Sequence, residues 1–234
     1  MIPEMVKHGY SKSFSAALTA AAGTIGVIIP PSVPFVIYGV VSGSSITELF
    51  TAGFLPGILM GVALIIICYI VSKKNGYRGT VKKASLKNII ISFKKAFWAI
   101  LSPVIILGGI YSGKFTPTEA AVISVVYSFV VGVFIYKELN FKGAYIAFKD
   151  AIVVNGATTF MVGLSTAFAA LLTMEQIPAK IASFILSISN NSFIVLLLIN
   201  IFLLLVGMFI DNIPATIILT PILLPIAISF GMSP

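Results

Sequence analysis

Apolar runs long enough to cross a bilayer dominate this chain, and the polar stretches between them are short. Residues 46–72, 97–112, 119–136 and 151–173 each read as a transmembrane segment, and 192–208 and 215–230 as strongly apolar runs on either side of a break; crossing the hydrocarbon takes roughly 20 helical residues. The pattern is least regular over 14–42. The stretch GTIGVIIPPSVPFVIYGVVSG (23–43) is as apolar as any span, yet it carries Gly23, Gly26, Gly39 and Gly43 together with Pro30, Pro31 and Pro34. Pro30 and Pro31 remove two consecutive backbone donors and their rings clash with a continuing helix. Hydrocarbon offers no replacement hydrogen bonds, so broken main chain at that depth persists only inside protein or beside a wet cavity. Residues 14–42 are therefore predicted as two short helices meeting at the proline pair, a re-entrant hairpin of the kind found in carriers built from discontinuous helices.

The other apolar runs have their own punctuation. Residues 46–72 predict a span kinked around Gly53, Pro56 and Gly57, and 97–136 predicts two spans joined by a turn at 114–117. Residues 151–173 cross with a face of small and hydroxylated side chains (Gly156, Thr158, Thr159, Gly163, Ser165, Thr166), which suits close helix packing. A shorter element is read over 177–189. Asp211, Asn212 and Pro214 then predict a broken span near 207–214, with Pro221 and Pro225 in the run that follows. There is also an internal echo: PEMVKHG (3–9) and PIAISFG (225–231) each place a proline six residues ahead of a glycine at the end of a helix-like segment. Residues 151–234 are accordingly read as the start of a second repeat.

Composition supports the membrane reading. Apolar residues make up 59% and charged residues 9% of the 234, with a mean hydropathy of +1.11; soluble domains are nearer 45–50% and about 25%. The fold class is all-α, a polytopic membrane protein with one transmembrane region over 1–234. The opening MIPEMVKHGY has neither the apolar core nor the cleavage site of a secretory signal. The single Cys68 gives no disulfide framework.

The net charge of +8 raises nucleic acid as a partner, but its placement argues for a membrane. Eight of the fifteen basic residues (Lys73, Lys74, Arg78, Lys82, Lys83, Lys87, Lys94, Lys95) fall between two apolar spans. The positive-inside rule puts 73–96 in the cytoplasm, as a basic loop with an amphipathic helix over 82–96 lying on the lipid surface. Lys137, Lys142 and Lys149 mark a second cytoplasmic loop over 137–150. The expected partner is the lipid bilayer and not nucleic acid.

The candidate chemistry lies at the breaks. A hard monovalent cation wants oxygen ligands, and a carbonyl released by a helix break supplies one without burying a carboxylate. Helix N-termini at the same place attract an anion. Gly23, Thr24, Gly26, Pro30, Pro31 and Ser32 are assigned to an ion and substrate site, set against the reading that they only shape a packing kink. Asp211 and Asn212 are intramembrane polar residues and so candidate ligands, although Asp211 also suits a helix cap. Ser42 and Gly43 either line the cavity or form a loop. Thr116, Thr118 and Glu119 read as caps, and Trp98 as an interfacial anchor. His8 reads as solvated, and Glu175 is given no role. No metal-ligand spacing, nucleophile–histidine arrangement or close carboxylate pair is present, so neither an enzyme nor a cofactor or metal centre is expected.

Several stretches resemble the large membrane subunit of tripartite ATP-independent periplasmic (TRAP) transporters: IPEM-x3-GY at 2–10, TAAAGTIGVIIPPSVPFVIYG at 19–39, LFTAGFLPGILMG at 49–61, GGIYSGKFTPTEAA at 108–121 and GMFIDNIPATIILTPILLPIA at 207–227. The resemblance implies an inverted-repeat carrier of the ion-transporter type in the bacterial inner membrane, crossing it several times. It implies sodium-coupled import of organic anions such as dicarboxylates or sialic acid. The expected partners are a periplasmic substrate-binding protein that delivers the anion and a small membrane subunit alongside. ATP is not used, and no phosphate-binding loop motif is found. The family's large subunit is longer, with scaffold helices before the equivalent of Met1 and a second proline-paired hairpin after that of Pro234. This chain is therefore expected to be a fragment supplying half of the site. The alternatives are a related sodium- or proton-coupled anion carrier without a binding protein, or a truncated product that does not transport.

Overall fold

The computed structural model describes residues 1–77, 85–188 and 191–232, without the side chains of Leu186 and Ile188. Arg78, Lys82 and Lys83 of the basic loop lie outside the described residues. The described chain is helical: α1 (Ile2–Lys7), α2 (Lys12–Ile28), α3 (Val33–Ser42), α4 (Ile46–Asn75), α5 (Leu86–Tyr111), α6 (Pro117–Val130), α7 (Phe141–Met174), α8 (Ile177–Ile188), α9 (Ser192–Gly207) and α10 (Asn212–Ser229). Residues Val131–Ile135 prolong α6 as a π-turn. Among the described residues α4, α5, α6 with its π-turn, α7 and α10 are each long and apolar enough to cross a membrane. The protein is an all-α, multi-pass membrane protein. Its many exposed Leu, Ile, Val and Phe side chains are what hydrocarbon, unlike water, accepts.

The chain divides into two compact units, Met1–Ser32 with Thr47–Leu139, and Val33–Ile46 with Asn140–Pro234. In the first unit α2 begins under the Ser11 hydroxyl, which accepts from Phe14 N–H at 3.2 Å, and stops ahead of Pro30. Tyr10, Phe14 and Tyr77 pack together with ring centroids 4.8–6.2 Å apart, the Tyr77 ring tilted against the other two, tying the start of α2 to the end of α4. α4 passes through Gly53, Pro56 and Gly57 as one continuous helix. Its glycines are a packing ledge: Gly53 and Gly57 are buried, and Ile29 of the break rests directly over Gly57.

α5 differs from the sequence reading. From Leu86 onward, the expected amphipathic segment and the span expected at 97–112 form a single helix, Leu86–Tyr111, continuous through Pro103. α6 holds it from the side. Tyr127 donates to the Trp98 carbonyl at 2.7 Å, and Tyr136 donates to the Lys95 carbonyl at 2.7 Å while accepting from Ala99 N–H at 3.3 Å. The turn between them is built by GGIYSGKFTPTEAA. Gly113 takes φ +69°, Lys114 and Phe115 N–H both return to the Gly109 carbonyl, and the Phe115 ring lies where a side chain on Gly109 would be. Thr116 then caps α6 in a capping box with Glu119, with Pro117 at the first helical position. The capping reading holds for Thr116 and Glu119; Thr118 takes no part in it.

In the second unit α10 is central and packs against α3, α7, α8 and α9. α7 begins ten residues before the expected span, because Asn140 caps it by accepting from Gly143 N–H at 2.7 Å. Lys142 and Lys149 therefore ride on helix, and only 137–140 connects. On α7 the small residue that becomes buried is Ser165, whereas Gly156 and Gly163 face open space. The predicted break near 207–214 is present as residues 208–211, between α9 and α10.

The internal echo is a repeated helix ending. After α1, Gly9 (φ +86°) donates to the Val6 carbonyl and Tyr10 to that of Met5. After α10, Gly231 (φ +79°) donates to Ile228 and Met232 to Ala227. Both are complete Schellman motifs, in which glycine takes the left-handed position that other residues avoid.

Candidate functional site

The proline pair ends α2 as the sequence requires. Ile29 leaves the helix at φ −75°, ψ 127°, the Pro30–Pro31 peptide is cis, and α3 restarts at Val33. Lacking N–H groups, Pro30 and Pro31 cannot serve the carbonyls four residues back, at Gly26 and Val27. Ser32, which is 2% exposed, donates its hydroxyl to the Val27 carbonyl. The Gly26 carbonyl has lost its helical donor. Gly23 and Thr24 lie farther back, within α2, and the Thr24 hydroxyl donates to Ala21 at 2.7 Å. Carbonyls released by the break are thus confined to its last turn, because an intact helix occupies those before it. Pro30 and Ser32 are buried, while Gly23, Thr24, Gly26 and Pro31 are exposed.

Ser42 and Gly43 close α3. The Ser42 hydroxyl donates to the Tyr38 carbonyl at 2.7 Å and receives Ser44 N–H at 3.3 Å, and Gly43 takes φ +73°. This is the loop reading; neither residue lines the cavity described next.

That cavity, about 420 Å³, lies beside the α9–α10 break, within the range of small-molecule sites. Leu196, Ile199, Leu203, Val206 and Gly207 of α9 form one wall, and α10 from Asn212 to Ala227 forms another. Tyr38 of α3 completes it. The polar side chains in this apolar lining are Tyr38, Asn212, Thr216 and Thr220. Thr216 donates to the Asn212 carbonyl at 2.7 Å. Thr220 is 7% exposed and presents a hydroxyl-bearing side chain to the cavity. No Lys or Arg is among the lining residues. Asp211 occupies the N-cap position of α10 at φ −66°, ψ 156°, yet its side chain makes no capping bond and no ion pair among the described residues. The cap explains its position and leaves the carboxylate uncommitted. The first turn of α10 also presents N–H groups without helical partners.

Sequence reasoning named Asn212 as a candidate ligand, and it lines this cavity; Tyr38, Thr216 and Thr220, which also line it, were not named. A signal for two of these was available: Asn212, Thr216 and Thr220 recur every four residues and so share one helix face. Tyr38 is distant in sequence, and only folding brings α3 to α10.

The whole chain, residues 1–234, matches the family described as the DctM component of tripartite ATP-independent periplasmic transporters. The chain belongs to that family. It is 44% identical over 233 residues to the sialic acid TRAP transporter large permease protein SiaM of Vibrio cholerae, covering all of this chain and 54% of that protein. It is 43% identical over 233 residues to the isethionate TRAP transporter permease protein DctMQ of Oleidesulfovibrio alaskensis, again over its full length but 37% of the relative. Against the C4-dicarboxylate TRAP transporter large permease protein DctM of Pseudomonas aeruginosa the identity is 38%, with 54% of the relative covered. The chain thus spans about half the length of the large permeases it matches. The family is one of transport permeases, not enzymes.

Proposed function

We propose that this chain forms part of the membrane permease of a TRAP transporter that carries small organic anions into the cell with sodium. The observation that carries this reading is the cavity at the α9–α10 break. Its lining holds neutral hydrogen-bonding groups in an apolar wall and no cationic side chain. A carboxylate or sulfonate entering it meets the Asn212 amide, the Thr220 and Tyr38 hydroxyls and the positive end of α10. These soften the charge but do not cancel it, and an uncompensated anion at this depth is costly. A travelling cation removes that penalty. The donor chemistry fits sodium: the Gly26 carbonyl and Ser32 hydroxyl at one break, and the uncommitted Asp211 carboxylate at the other, are hard oxygen ligands. Pro30 and Pro31 shape the first of these, at the tip of the re-entrant hairpin proposed over 14–42.

The named relatives carry sialic acid, isethionate or C4-dicarboxylates, which share an anionic group on a small polar body. The partners in this reading are a small membrane subunit and a periplasmic substrate-binding protein, in the bacterial inner membrane. The test is uptake into proteoliposomes by the complete transporter containing this chain. With choline in place of sodium, and no other gradient, uptake should cease; full-rate uptake in choline refutes the reading.

A further inference from the structure

The two tyrosine hydroxyls that reach α5 from α6 and its π-turn act on that helix differently. Residues 95 and 99 are four apart, so an α-helix pairs the Ala99 N–H with the Lys95 carbonyl. The Tyr136 hydroxyl sits on both members of that pair: it donates to the Lys95 carbonyl at 2.7 Å and accepts from the Ala99 N–H at 3.3 Å. A side chain inserted at such a pair is one of the few causes of a sharp helix bend. Four residues beyond Ala99, Pro103 has no N–H to give the Ala99 carbonyl. Between Lys95 and Pro103, α5 thus has one pair bridged from outside and one carbonyl without its helical donor. We propose that α5 hinges here, and that the Tyr136 hydroxyl is the latch that holds the hinge in the position seen. The π-turn puts the latch in place. On a regular α-helix, residues 127 and 136 would point about 180° apart; a π-turn holds one residue more, which cuts that to about 80°, and both tyrosines reach the same neighbour. The turn is itself secured, because Tyr136 N–H donates to the Val131 carbonyl at 2.9 Å and the Glu138 and Leu139 N–H groups both return to the Gly132 carbonyl at 3.1 Å. Opening the latch orphans no backbone group, since the Ala99 N–H then closes directly on the Lys95 carbonyl. The exposed Lys94 and Lys95 mark the polar boundary of the span, where water takes up the released hydroxyl. Tyr127 bridges no such pair. It donates only to the Trp98 carbonyl, for which Ser102 keeps an N–H. The latch is independent of which solute or ion the permease carries.

The test measures the distance from the start of α5 to α6 in the complete transporter containing this chain, held in lipid nanodiscs. In a background without other reactive cysteines (Cys68→Ser in this chain), nitroxide labels are placed on Leu86→Cys and Val122→Cys, both exposed positions, and pulsed electron–electron double resonance reads their separation. Leu86 to Lys95 is about 14 Å of helix, so a bend of about 20° at the hinge moves the labelled end by about 5 Å. Tyr136→Phe keeps the ring and removes the latch; it should shift the main distance by about 3–5 Å. Tyr127→Phe should leave the distance where it is. No shift with Tyr136→Phe overturns the proposal. The same shift with both variants also overturns it, because that is what looser packing of α6 on α5 would give without any latch. If the Leu86 label prevents assembly, Ile89→Cys, also exposed, reports from the same arm of α5.

Discussion

Replacing Gly57 by alanine puts a methyl group where α4 has room for none. A β-carbon at Gly57 falls 2.5 Å from Ile29 Cγ1, 3.2 Å from Ile29 Cδ1 and 3.7 Å from Ile28 Cγ2. Carbon atoms pack at about 3.5–4.0 Å, so Ile29 has to move by about 1 Å or more. It is β-branched and stiff at χ1, and it is the residue on which α2 ends before Pro30. The strain therefore passes into the break itself. Overpacking of this kind costs about 1–3 kcal/mol, against a gain of about 1 kcal/mol from alanine's better helix propensity. Gly61→Ala is the control, because its β-carbon meets only Ile25 Cδ1 at 4.0 Å, an ordinary contact. The propensity gain is common to both, so Gly57→Ala should be less stable than Gly61→Ala by about 1–3 kcal/mol. Thermal unfolding in detergent, followed by the fluorescence of Trp98, measures this; in a chain of this size each kcal/mol shifts the midpoint by about 2–4 °C. Adding Ile29→Ala to Gly57→Ala should recover part of the loss, since the two side chains compete for one space. If Gly57→Ala melts at or above Gly61→Ala, α4 does not brace the break through this contact.

The same measurement separates other neighbours. Gly109→Ala, whose β-carbon would overlap the Phe115 ring, should lower the midpoint, while Gly108→Ala, with open space around it, should not. Thr116→Ala should destabilise by about 1 kcal/mol through loss of the α6 cap, with Thr118→Ala close to neutral. In transport assays of the complete permease, Thr220→Val keeps the shape and removes the hydroxyl from the cavity lining. It should weaken apparent substrate affinity about three- to tenfold, the worth of one hydrogen bond, with the melting midpoint unchanged. Asp211→Asn should raise the sodium concentration needed for half-maximal uptake without loss of stability, because the carboxylate makes no capping bond; an unaltered sodium dependence would remove Asp211 from the ion site.

Much of the architecture was readable from particular residues. Pro30 and Pro31 end α2, and Asp211 marks the break before α10, because backbone donors and their absence act within four residues. Thr116 and Glu119, with Pro117 at the first helical position, cap α6 for the same local reason. Where the reading missed, the cause was a neighbour distant in sequence. The segment expected as a separate surface helix is, from Leu86 onward, part of α5, where Tyr127 and Tyr136 donate to the Trp98 and Lys95 carbonyls.

By itself the sequence determined a multi-pass helical membrane protein, broken at two places, within a known transporter family. Those properties follow from apolar run length, proline chemistry and the absence of hydrogen bonds in hydrocarbon, all of which are local. Only the tertiary structure decided which polar groups meet. The cavity at the second break joins Tyr38 of α3 to Asn212 and Thr220 of α10. Helix packing selects one face of each element according to its partners, and a linear pattern of apolar residues does not name those partners.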